Sequence, residues 1–166
     1  MTLTDIIGYL PHGLAAVSEH GTMRLIYETI YIDVLLEGYR PVLRPMSDLS
    51  KEITERGYND GNSFVPIVEL ANTYYYPYTF PDNSNILETD RYIRLVGIPR
   101  VFTWDKVNNK FGLGNTHKDG CIMGVSYTLD NIHNLYDLLH RWHFDYRGLI
   151  ARGEAVAIGD LQMDIY

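Results

Sequence analysis

Apolar and polar positions change rhythm several times along the chain, and each change marks an element. Thr4-Asp5 caps a very short helix that Pro11 stops. Residues 14–18 and 23–27 are short, largely apolar runs on either side of His20-Gly21, which is hairpin-turn chemistry. Residues 29–36 are short and rich in β-branched and aromatic side chains, so they read as a strand that Gly38 ends. Residues 41–45, bracketed by two prolines, read as an extended edge segment.

The rhythm then turns helical. Ser47-Asp48 supplies an N-cap with early negative charge, and Gly57 marks the end of that helix. A second short helix is read at 65–71, with Pro66 in its first turn, where a missing N–H costs nothing. Residues 74–78 and 81–85 form an aromatic, then polar, connector. Residues 98–104 and 110–113 read as a hairpin around 106–109, and 122–127 as another strand. From Leu129 to Phe144 the period is helical: Leu129, Ile132, Leu135, Tyr136, Leu138, Leu139 and Trp142 share one broad face, which places Trp142 in the core. A helical turn at 147–151, Gly153 and a last strand at 155–158 complete the reading. Strands and helices segregate, which favours an α+β fold. The expected parts are an N-terminal antiparallel sheet, short helices, a middle hairpin and a long C-terminal helix, in a single domain over residues 1–166.

Composition narrows the function classes. Apolar residues make up 46% and charged residues 21% of the 166, the balance of a globular chain with a core. Fourteen Lys and Arg stand against 21 Asp and Glu, a net charge of -7, which argues against a surface given over to nucleic acid. Cys121 is the one cysteine, so no intramolecular disulfide forms, and it reads as a small core residue. The first residues lack a basic signal-peptide region, and the apolar stretch 25–36 is broken by Glu28 and Asp33. The expectation is a protein that does not cross a membrane and resides in the host cytoplasm or with a virion.

Several phrases occur in a distinctive order. They are residues 9–14 (YLPHGL), 40–49 (RPVLRPMSDL), 64–67 (FVPI), 142–145 (WHFD), 148–150 (GLI) and 153–158 (GEAVAI). Together they resemble a family of small phage and prophage proteins of Bacteroides-type gut bacteria, which share "LPYGL", "PILRPLSDL", "FVPI" and "WHFD..GLI..G.AI" phrases. His12 and Met46 depart from that pattern. The resemblance covers about a third of the chain, leaves residues 74–127 unmatched, and implies a phage or mobile-element origin without an activity to carry over.

Three constellations are candidates for chemistry. His133, Asp137 and His140 are spaced i, i+4 and i+7 on a helix, opposite its apolar face, so two imidazoles and a carboxylate share a stripe that suits a divalent transition metal. The competing reading is a solvated polar face, and no cofactor is the leading expectation. His143 stands at the edge of the apolar face with Asp145 two residues on. A buried histidine hydrogen-bonded to a carbonyl or carboxylate is the plain reading, and a His–Asp dyad for general-base work the sharper one. In residues 91–118 six cations face Asp105 alone, with Tyr92, Phe102, Trp104 and Phe111 interleaved. Arg91, Arg94, Arg100 and Trp104 are the candidates there for single-stranded nucleic acid; core-facing aromatics alternating with solvated cations are the favoured alternative. Gly112-Leu113-Gly114 has no third glycine and no following helix, so it is no phosphate loop. The leading functional expectation is a non-enzymatic phage or prophage accessory protein that binds a host or phage protein. A metal-dependent enzyme and a nucleic-acid binder are the alternatives.

Overall fold

In the computed structural model, residues 1–27, 33, 35, 37–76, 79–80, 84–129 and 132–161 are described. The chain divides into two compact units: Met1–Met46 with Tyr136–Tyr166, and Ser47–Leu135 inserted between them in sequence. The fold is mixed α and β, with two sheets and three α-helices of described bounds.

The first unit opens with helix α1 (Leu3–Ile6), where the Asp5 carboxylate reaches back to accept from the Thr2 backbone N–H at 2.7 Å. Pro11 sits in a 3-10 turn, Leu10–His12, closed by Gly13 in the left-handed region. Strands β1 (Leu14–Val17) and β2 (Met23–Ile26) form the hairpin expected around His20-Gly21. Strand β3 (Arg40–Leu43) pairs antiparallel with β1 on its other side. Every residue of β1 is buried, which is why the run 14–17 carries no polar alternation. The strand expected at 29–36 lies outside the described residues except Asp33 and Leu35, and those two are helical, with the Glu37 N–H donating to the Asp33 carbonyl.

The second unit holds helix α2 (Pro66–Tyr75) and a five-stranded antiparallel meander: β4 (Asn85–Glu88), β5 (Tyr92–Val96), β6 (Arg100–Asp105), β7 (Lys110–Thr116) and β8 (Ile122–Ser126). The middle hairpin is thus β6–β7, and β8 was expected, but β4 and β5 extend the sheet beyond the sequence reading. The helix read from Ser47 is a 3-10 turn, Met46–Ser50. Ile93, Leu95, Phe102, Trp104 and Phe111 share one sheet face and are buried, as are Ile67, Leu70 and Ala71 of α2.

The C-terminal helix is shorter than the apolar period implies. Helix α3 spans ten residues, Ile132–Arg141, rather than 129–144. It ends because His143 takes the left-handed conformation (φ 59°), so the His143 N–H bonds to the His140 carbonyl and the Phe144 N–H to the Leu139 carbonyl. That is the Schellman arrangement, with histidine at the position glycine usually holds. Beyond it, Arg44 and Phe144 form a parallel bridge, and the two-residue strand β9 (Val156–Ala157) lies parallel to β3. The N-terminal sheet is therefore completed from the C-terminal end of the chain and is mixed, in the order β2-β1-β3-β9.

Candidate functional site

The helix stripe and the dyad come first. His133 and Asp137 are exposed, but His140 turns against the backbone of Gly8, so closely that a Cβ there would lie 2.3 Å from the ring. The Tyr146 hydroxyl is 2.8 Å from His140 Nε2 and accepts from Arg147 Nε at 2.9 Å. Burial and the Arg147 cation push the His140 pKa down to about 4, so the ring is neutral at pH 7. No group of three or more His, Cys, Asp or Glu that could hold a metal ion occurs among the described residues.

His143 is buried, and burial, followed by the Arg44 and His12 charges, lowers its pKa to about 4, against a hydrogen bond with the Gly13 backbone. Two residues on, Asp145 turns to the backbone that follows it. One carboxylate oxygen accepts from the Leu149 N–H at 2.8 Å and the other from the Ile150 N–H at 2.7 Å, so Asp145 organises the turn that follows. These groups form a polar core in which Tyr9, itself buried, donates to the Phe144 carbonyl at 2.7 Å.

The basic segment divides between the two faces of the five-stranded sheet. Trp104 is buried against Phe111, with ring centroids 4.6 Å apart, and offers no open ring for a base to stack on. Arg100 lies over the Tyr75 ring at 4.7 Å. Arg91 meets Asp105 at 3.4 Å, and Asp105 also accepts from the Val107 and Asn108 N–H groups, so this carboxylate shapes the β6–β7 turn. Cys121, expected in the core, is exposed.

The opposite face holds a different constellation. Strand register aligns Leu87, Arg94, Thr103 and Gly112 in one row across β4, β5, β6 and β7, and Tyr127 follows β8 at the end of that row. Arg94 stacks on the Tyr92 ring at 4.0 Å, with Arg91 over the same ring at 4.9 Å. The Tyr127 ring lies over Gly112, which has no side chain to exclude it. Burial, the neighbouring Tyr92 and Asp105, and a hydrogen bond with Tyr92 raise the Tyr127 pKa. Leu87 is 50% and Tyr127 37% exposed, whereas Thr103 beneath is fully buried. The result is a plate: an aromatic pair and a stacked guanidinium seated on strands, rimmed by an exposed leucine.

Of this plate, the sequence marks Arg94 as a candidate and Tyr92 as an interleaved aromatic, whereas Leu87, Thr103 and Tyr127 carry no mark in sequence. The signal lay in the alternation Tyr92-Arg94-Val96 against Ile93-Leu95 and in the two glycines of β7, which mark close approach inside a strand. A cavity of about 390 Å³ lies between α2 and the sheet, lined among others by Val68, Asn72, Ile86 and Leu95. Among the described residues its lining carries no titratable side chain. No helix among the described residues is long and apolar enough to cross a membrane. The chain matches no protein-family model, no curated protein and no solved structure.

Proposed function

We propose that the protein is a phage or prophage accessory protein that acts without catalysis, as a protein-binding module, and that its binding face is the Leu87–Arg94–Tyr127 side of the five-stranded sheet. The observation that carries this reading is the plate itself. Tyrosine and arginine dominate interface hot spots because they combine large area with few lost rotamers and strong polar tips. Here their rotamers are already held by stacking and by the hydroxyl contact between Tyr92 and Tyr127. Preorganisation of this kind lowers the entropic cost of association. The internal bonds of Asp145 and His140 further support a binding role over general-base work.

Capture from host lysate tests this. The wild-type chain is expected to retain a protein partner that Leu87→Glu and Tyr127→Ser variants release. Leu25→Glu, at an exposed position of β2, serves as control and is expected to behave as wild type. Equal capture by all four proteins overturns the assignment of the face.

A further inference from the structure

We propose that Arg94 and Thr103 form a carboxylate-binding site on this face, which takes an aspartate or glutamate side chain of the partner protein. The inference rests on the binding-face reading above and names the chemistry of its anchor. Arg94 on β5 and Thr103 on β6 are directly opposite in register and project from the same face. Arg94 Nε and Thr103 Oγ1 are both buried, and neither has a hydrogen-bond partner among the described residues. One orphaned polar atom in a sheet is a curiosity; two on facing side chains, one of them cationic, form a donor pair that no described residue satisfies. Arginine cannot shed its proton to relieve the cost.

Charge complementarity selects the ligand. Arg94 is the single charge in the row that runs from Leu87 to Tyr127. No ion pair reaches it among the described residues, because Asp105 serves Arg91 and Glu88 serves Lys106. Arg94 as a whole is half-buried, and the Tyr92 ring lies against the flat side of its guanidinium at 4.0 Å. A planar fork offered edge-on fits a planar carboxylate through two parallel hydrogen bonds. One net cation with one hydroxyl matches a monoanion. A phosphate-bearing strand calls for several cations in line and open aromatic rings, whereas Asp105 occupies the next row of this face and Trp104 and Phe111 are buried on the other.

The test uses the full ¹⁵N-labelled chain and small probes followed by NMR. N-acetyl-aspartate amide is expected to shift the Arg94 Nε–Hε resonance saturably, and the matched asparagine amide to leave it unmoved. Thr103→Val, which keeps the shape and removes the hydroxyl, is expected to weaken aspartate binding about tenfold while leaving the fold as stable or more so. Arg94→Lys is expected to weaken it by a similar factor, since the fork is lost but the charge kept. The proposal is overturned if the asparagine amide moves the resonance equally, or if Thr103→Val and Arg94→Lys bind as wild type. It is also overturned if inorganic phosphate or a single-stranded oligonucleotide binds more tightly than the carboxylate. If these variants still capture the protein partner while Leu87→Glu and Tyr127→Ser do not, the face stands and only its carboxylate anchor fails.

Discussion

The ring of Tyr127 occupies the space that a side chain on Gly112 would need: a Cβ built at Gly112 lies 2.9 Å from Tyr127 Cδ1 and 2.6 Å from Val125 Cγ1. Two residues fifteen positions apart are thus fitted to each other across a strand pair, and the binding plate depends on that fit.

Gly112→Ala is expected to destabilise the protein by about 1–3 kcal/mol through overpacking and to displace Tyr127. Gly114→Ala is expected to cost more, because its Cβ would meet the backbone carbonyl oxygen of Gly124 at 2.0 Å rather than a side chain. Urea unfolding of both variants checks the order. Two variants as stable as wild type would mean that β7 and β8 do not approach as described.

Trp142→Ala is expected to cost about 3–5 kcal/mol, since the indole is fully buried just past the end of α3. A loss below about half a kcal/mol in the same urea experiment would remove Trp142 from the core.

His143 gives a pH signature. Its folded pKa of about 4 lies below the ordinary value of 6.5, so the unfolded chain binds the proton more readily. Its contribution is complete above pH 6.5 and is lost as pH falls toward 4, by roughly 3 kcal/mol. His143→Asn keeps a residue tolerant of the left-handed backbone and removes the imidazole. Stability measured at several pH values between 7 and 4 is expected to fall less steeply in this variant. Parallel curves for variant and wild type would contradict the assignment.

Asp105 acts on the acid side. Burial opposes its ionisation, yet hydrogen bonds from Asn108, Arg91 and Val107 outweigh burial and hold its pKa below the ordinary 3.8. Its stabilisation is therefore present above pH 3.8 and disappears as pH drops through the lower folded value. Asp105→Asn is expected to cost about 1–3 kcal/mol near neutrality, with the gap to wild type closing in strong acid. A gap independent of pH would show that charge plays no part in this turn.

Much of the fold was legible where local chemistry and tertiary packing agree. The His20-Gly21 hairpin, the Pro66 helix start and the β6–β7 hairpin follow from turn residues and alternation alone. The misses have physical causes. Residues 85–88 hold only Ile86 and Leu87 as apolar side chains, and in 92–96 Tyr92 and Val96 on the outer face stand beside Ile93 and Leu95 on the inner one, so period two rests on Arg94 alone. The apolar period through Phe144 outlasted the helix because burial continues past the left-handed His143, and periodicity does not register backbone handedness. Of the candidate residues, the metal stripe treated His140 as outward, whereas the side-chain-free Gly8 draws it inward. The row from Leu87 to Tyr127 exists only once four strand registers are fixed, and no single window of sequence contains it.

Hydrogen–deuterium exchange of the intact chain, alone and with its captured protein partner, tests the binding face most directly. Protection is expected in residues 85–96 and 122–127, with residues 14–26 and 132–150 exchanging as in the free chain. Protection confined to those latter segments, with 85–96 and 122–127 unchanged, would contradict the account.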